Sequence, residues 1–374
     1  MRVVIAPDSF KGSLTATSVC AAIETGVRRA LPDADVVRVP MADGGEGTLD
    51  CILGATGGEE IGLTVSGPLG WPVRARYGLA ADGRSAVVEL AAASGLPLLA
   101  GATDALRADT TGTGELIADA VRRGAREVLV CIGGSASTDG GTGLLRALGA
   151  RFEDAAGDEL PPGGGALAGL ARVDAGGVGD AVRQTRFRIA CDVTNPLVGP
   201  EGAAAVFGPQ KGATPDQVRQ LDRALTRFGD VLAGQFGVRV HELPGAGAAG
   251  GTCGGMVAVL GAEPVRGCEL VAETVGLPAA LTGADLVITG EGRLDRQSAA
   301  GKVVSMVARL AGERGVPAVA LAGQIVHPLD DLYAIGLTAA FGIADGPRTL
   351  TAMTGDAARL LAAAAEQTVR LRTA

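Results

Sequence analysis

Three short segments each place acids and glycines, two of them with a cation, in one loop. They are "PDSFKGS" with Asp8 and Lys11, "MADGGEGT" with Asp43 and Glu46, and "TGEGRLD" with Glu291, Arg293 and Asp295. Clustered carboxylates repel one another unless they share protons or a cation. Glycine costs backbone entropy unless the chain must turn sharply or approach something closely. Magnesium answers both conditions, because it takes hard carboxylate oxygens and keeps positions for water and substrate phosphates. A single acidic turn is usually just solvated; three of one kind argue for a shared ligand.

Three further segments carry chemistry of the same sort. In "CIGGSASTDGGTG", a strand runs into Gly133, Gly134 and Ser135 and then, past Asp139, into a helix. Backbone N–H groups freed by glycine next to a helix N-terminus form an anion cradle. "CDVTNPLVG" and "VFGPQKGA" bring in Asp192, Asn195 and Lys211, with prolines stiffening the turns. An aspartate there serves as a general base, an asparagine as a metal or nucleotide ligand, and a lysine as a phosphate clamp. Composition sharpens the lysines: of 33 basic residues only Lys11, Lys211 and Lys302 are lysine, each beside a glycine, and Asn195 is the sole asparagine. A compact point charge suits phosphate where the planar guanidinium fork does not.

Other motifs are weaker. Gly301-Lys302 is not a Walker A loop, since Arg296 stands in the first glycine position and Val303 replaces Ser/Thr. "GAGAAG" at 245–250 fits G-x-G-x-x-G, but no fresh β-α-β unit with a second-strand acid can be placed around it. It leaves a nicotinamide-dependent oxidoreductase as the rival enzyme class, and a non-catalytic hydroxy-acid sensor as the rival outside enzymes. His241 and His327 sit in no Ser/Asp motif, which argues against a Ser-His-Asp hydrolase.

The elements that must position these loops alternate in type. "RVVIAP" and "ADVVRVP" read as strands, with helices over about 15–30 and from Thr48. From about Leu63 the texture shifts to strand, turn and strand, with "ADG" as a hairpin signal. "TPDQVRQLDRALTRFGDVLAGQF" reads as an amphipathic helix opened by Thr-Pro. The β-α-β texture then returns in "ADLVITGEGRLD", "GKVVSMVARLAGERG" and "PAVALAGQI". The expectation is an α/β protein: a doubly wound parallel-sheet domain from both chain ends (1–64 plus 284–374), with a second α/β domain (65–283) inserted. Ligands bind outside the carboxyl ends of such strands, so the active site is expected in the cleft between the domains.

A chain of 374 residues, 47% hydrophobic and 20% charged, can bury two cores. Net charge −8 and pI near 5.0 argue against a nucleic-acid partner, as do so few aromatics for base stacking. No apolar run suits a membrane span or signal peptide. Six cysteines without C-x-x-C or zinc spacing read as reduced, buried thiols of a cytoplasmic protein.

Taken together, "APDSFKGSL", "MADGGEGT", "GTGELI", "IGGSASTDGG", "CDVTNPLVG", "VFGPQKGA" and "GADLVITGEGRLDRQ" resemble the bacterial type I glycerate kinases, in order along nearly the whole chain. The resemblance implies a flavodoxin-like domain interrupted by a second α/β domain. It also implies transfer of the ATP γ-phosphoryl group to D-glycerate, usually at the 2-hydroxyl, with Mg2+. Under it Asp192, then Asp8, are the expected bases, with Lys11 stabilising the moving phosphoryl group. Gly133, Gly134, Ser135, Asn195 and Lys211 are expected on the nucleotide, Arg293 and Lys302 on glycerate, and Asp43, Glu46, Glu291 and Asp295 on the metal. A small-molecule substrate, no nucleic acid, no membrane and an optional homodimer complete the expectation.

Overall fold

The structure, a computed structural model, describes residues 1–299 and 301–373. The chain opens with strands β1 (Arg2–Ile5) and β2 (Asp35–Arg38). The middle adds β3 (Gly58–Ser66), β4 (Pro72–Ala80), β5 (Ser85–Glu89), β6 (Glu127–Cys131), β7 (Arg151–Glu153), β8 (Arg172–Asp174), β9 (Arg186–Ala190) and β10 (Glu263–Val265). It closes with β11 (Leu286–Leu294), β12 (Ala318–Ile325) and β13 (Leu337–Gly342).

Two compact units result. The first comprises Met1–Asp43, Asp50–Ala55 and Cys268–Ala374; the second comprises Gly44–Leu49 and Thr56–Gly267. The sequence expectation placed the breaks at 64/65 and 283/284. The first break falls earlier because β3 pairs with β4 along its whole length, from Gly58↔Ala80 to Ser66↔Pro72. The return also comes earlier, because Cys268, Val271, Ala272, Leu277 and Leu281 belong to the first unit's core. Gly44–Leu49 goes with the second unit, where Glu89 Oε1 accepts the N–H groups of Gly47 (2.9 Å) and Leu49 (3.0 Å).

The first unit is a five-stranded parallel sheet in the order β2-β1-β11-β12-β13. Counted within the unit, that order is 2-1-3-4-5, the flavodoxin-like doubly wound arrangement. Its strands read as apolar runs because both faces are covered. Val3 and Ile5 enter one core with Val19, Ile23 and Val27 of helix Ala16–Ala30 and Leu360, Leu361 and Val369 of helix Ala357–Thr373. Val4 and Ala6 enter the other with Val304 and Val307 of helix Val303–Gly312. The two helices of the first face press together at Gly26, where an added Cβ would stand 2.0 Å from the Ala362 carbonyl oxygen.

The second unit is a six-stranded mixed sheet, β10-β9-β6-β5-β4-β3, in which β5, β6, β9 and β10 run parallel and β3–β4–β5 antiparallel. The "ADG" turn joins β4 to β5, with Asp82 Oδ1 accepting from the N–H groups of Arg84 and Ser85. Helix Pro215–Phe236 starts as expected: Thr214 accepts from Gln217 N and the Gln217 side chain answers on Thr214 N, a capping box. The excursion after Ala150 holds one surprise, the small antiparallel pair β7–β8.

Candidate active site

In a doubly wound sheet, the strand order reverses between the first and third strands, here β1 and β11, and the loops at their carboxyl ends diverge to leave a crevice. A cavity of about 370 Å3 opens there within the first unit. The loop after β1 gives it Asp8, Phe10 and Lys11, and the residues following β2 give it Asp43. The end of β11 gives Glu291 and Arg293, and the N-cap of helix Val303–Gly312 gives Lys302. Two of the three acidic loops therefore meet around one space, together with Asp43 of the third and two of the three lysines.

Asp8 is the most perturbed group in it. The carboxyl is pushed up to about 7, first by burial and next by the charge of Asp43, while the Ser9 N–H and Lys11 pull the other way. Ser9 N donates to Asp8 Oδ1 at 2.6 Å. Burial also raises Glu291, against a hydrogen bond from Ser298 and the charge of Lys302, with Asp295 and Asp43 adding to the rise. Glu291 Oε1 is buried without a hydrogen-bond partner, a condition native interiors rarely leave unanswered. Hard oxygens forced together, one of them orphaned, fit a divalent cation. Among the described residues no three His, Cys, Asp or Glu side chains form a ready-made metal cage.

The quartet expected on the metal is thus not assembled as one set. Asp43 and Glu291 line the cavity. Asp295 is ion-paired with Arg293 at 3.2 Å, and Glu46 is exposed in Gly44–Leu49, which packs with the second unit. The glycines of that loop have a local cause: Gly44 has φ +85°, and a Cβ there would meet Ala190 and Gly267 at under 3 Å.

In the second unit, the expected nucleotide residues have partners of their own. Lys211 is fully buried; its Nζ donates to Ser135 Oγ at 2.8 Å and to the Ser137 carbonyl. Burial pushes its pKa down to about 7. It is therefore a tie inside the 135–137 loop rather than a lysine presented to solvent. The helix Thr142–Ala147 already has an anion at its start: Asp139 accepts from Gly141 N, Gly143 N, Thr110 N and Thr110 Oγ at 2.8–3.2 Å. Gly133 and Gly134 remain exposed. Asn195 Nδ2 donates to the Glu201 carbonyl, and the exposed Asp192 accepts from Gly267 N at 2.9 Å. "GAGAAG" follows no strand, and its glycines serve packing: a Cβ on Gly247 would stand 2.1 Å from Pro196 O, and one on Gly250 2.2 Å from Ser137 O. The dinucleotide-binding reading lacks its structural context.

The glycerate kinase family model matches residues 3–373. The chain belongs to the glycerate kinase family. It is 46% identical to the glycerate kinase of Bacillus subtilis (strain 168), over 92% of this chain and 91% of that one. It is 45% identical to the glycerate 2-kinase of Escherichia coli (strain K12), over 94% and 92%. The crystal structure of a candidate glycerate kinase 2 from Salmonella typhimurium LT2 superposes with a TM-score of 0.89 at 45% identity, covering 100% of this chain and 98% of that one.

For a glycerate kinase family member, three features of the structure escaped the sequence. Glu89 ends an ordinary-looking strand, and nothing near it in sequence announces that it holds the loop 44–49. Asp139 sits in the expected anion cradle but is itself the anion. Part of the cavity wall comes from Ile343, Leu350, Met353 and Ala357, apolar residues that carry no chemical signal in the sequence. The alternation of loop and helix around 343–357 marks that wall only once the sheet order is known.

Proposed function

We propose that the chain is an ATP-dependent glycerate 2-kinase, transferring the γ-phosphoryl group in line to the 2-hydroxyl of D-glycerate with Mg2+. The observation that carries the reading is the first-unit cavity, where buried carboxylates and two lysines converge at the sheet's switch point in a chain of this family. The choice of hydroxyl is supported by the E. coli relative, whose name specifies it.

Asp8 is the better placed of the two expected bases, since it lines the cavity while Asp192 is exposed and bonded to Gly267 N. Its role is to orient the glycerate hydroxyl and take its proton at a carboxylate oxygen. Lys11 and Lys302 neutralise charge on the phosphoryl oxygens as it shifts toward the leaving group. Arg293, exposed at the cavity and paired with Asp295, offers its guanidinium to the glycerate carboxylate. Asp43 and Glu291 are the carboxylates that would hold Mg2+, whose bound charge offsets that of the β- and γ-phosphates. Among the described residues no three acids form a complete cage, so phosphate and water oxygens would fill the ion's other positions. A cytoplasmic setting is supported by six cysteines, none in a disulfide. No described helix is long and apolar enough to cross a membrane.

The test is to incubate the purified chain with ATP, magnesium and D-glycerate and resolve the products by phosphorus NMR. A magnesium-dependent phosphoglycerate signal with the coupling of a secondary phosphate ester is expected. A primary ester would move the reaction to the 3-hydroxyl. Intact ATP over folded protein would sink the kinase reading.

A further inference from the structure

The cavity's lining is of two chemical kinds. Asp8, Lys11, Asp43, Glu291 and Lys302 line it and act on one another's charge, while Phe10, Ile343 and Met353 pack in one apolar cluster and Leu350 and Ala357 add to that apolar lining. D-Glycerate, three carbons bearing a carboxylate and two hydroxyls, has no apolar face to set against it. A nucleoside triphosphate has both: a charged chain, and a flat base whose faces are apolar. Cavities that hold such ligands combine an apolar lining with a few polar groups.

We propose that the apolar lining of the first-unit cavity is a nucleobase subsite, with Leu350 and Met353 closing over one face of the base and the triphosphate running toward Lys11 and Lys302. The inference rests on the kinase reading above and seats the nucleotide in the first-unit cavity instead of on the expected Gly133-Gly134-Ser135 anion cradle, to which the buried Lys211 is tied. Two observations favour it beyond the lining. Leu350 is 79% exposed on Leu350–Gly355, a short helix with no buried residue, although it lines the cavity. A base seated in the cavity would take that apolar surface out of water. The helix is also held in place: Thr349 caps it by accepting from Ala352 N, and Ser13 Oγ donates to the Thr354 carbonyl at 2.8 Å. That bond ties the apolar wall to the loop carrying Lys11, so base and phosphate contacts are fixed relative to each other. The exposed amide of Gln324 also lines the cavity and carries both a donor and an acceptor for a base edge.

The experiment is calorimetric titration of the full chain with AMP-PNP and, separately, with inorganic tripolyphosphate, both with magnesium. Wild type is compared with Leu350→Asp and with Met353→Gln. Leu350 is exposed, so its replacement leaves the fold intact, and far-ultraviolet circular dichroism checks this for both. The expected result is AMP-PNP binding weakened about tenfold or more in each variant, with tripolyphosphate unchanged within about twofold. Unchanged AMP-PNP affinity overturns the subsite. So does an equal loss for both probes, which would make the helix a support for the charged lining. A wild type that binds AMP-PNP in the expected pattern but transfers nothing to D-glycerate would sink the kinase reading alone. A wild type that transfers, with variants raising only the KM for D-glycerate, would sink the subsite alone.

Discussion

Asp8 and Lys211 show how differently two buried charges are used. The Asp8 carboxyl, ordinarily near 3.8, is pushed up to about 7. Between those values the folded chain holds a proton that the unfolded chain has released, so this residue makes stability fall as pH rises through the window. Asp8→Asn removes that cost. In metal-free buffer with EDTA at pH 8, its thermal midpoint should exceed wild type by several degrees, and the gap should close by about pH 4. The same variant should lose turnover by at least about a hundredfold in the phosphoryl-transfer assay. A variant that is neither stabilised nor inactive would remove Asp8 from the site.

Lys211 has the opposite sign. Its pKa falls from 10.5 to about 7 on burial. Between those values the unfolded chain holds the proton and the folded chain does not, so stability gains from rising pH across that window. Lys211→Met leaves Ser135 Oγ and the Ser137 carbonyl without this donor and should cost about 1–3 kcal/mol in urea unfolding near pH 7. The gain between about pH 7 and 10 should shrink along with it. An unchanged pH slope would mean the ammonium is held charged.

At the scale of elements, helix Ala16–Ala30 was legible because its apolar residues recur at helical spacing after a Thr cap, and helix Pro215–Phe236 because Thr-Pro opens it. Gly26 was not legible as a contact. Its meaning comes from Ala362, 336 positions away, in a helix that the sequence ends on. Gly26→Ala should destabilise the first unit by about 3 kcal/mol, read as a lower urea midpoint, although alanine is the better helix former. A stabilised variant would show that the two helices can part without cost. The loop 44–49 taught the reverse lesson. Its glycines suggested a backbone yielding to a ligand, but Gly44 yields to Ala190 and Gly267, and the N–H groups of Gly47 and Leu49 go to Glu89.

At the scale of the whole molecule, one unit is built from both ends of the chain, while nearly all of the other is continuous from 56 to 267. The buried cluster of the second unit draws only on residues between Ile61 and Ala262. A fragment of residues 56–267 should therefore unfold cooperatively on heating, at a lower midpoint for want of the two N–H groups that satisfy Glu89. A fragment of residues 1–55 should show no cooperative transition, since β1 lacks β11 and helix Ala16–Ala30 lacks its C-terminal partner. A non-cooperative 56–267 fragment would mean its core depends on the rest of the chain.

The alternation of apolar strands with amphipathic helices determined the α/β class, the doubly wound first unit and the interruption within it, because those patterns are local and periodic. The acidic loops and rare lysines determined that chemistry on phosphate was the reading to pursue, because residue type is chemistry before it is position. Only the tertiary structure decided which of them share a space. Asp8, Asp43 and Glu291 meet because β1 and β11 are neighbours across 280 residues of sequence, at the point where the sheet reverses its winding. Lys211 and Asp139, equally promising as residue types, are turned inward and bonded to their own chain, a distinction of burial that no spacing encodes.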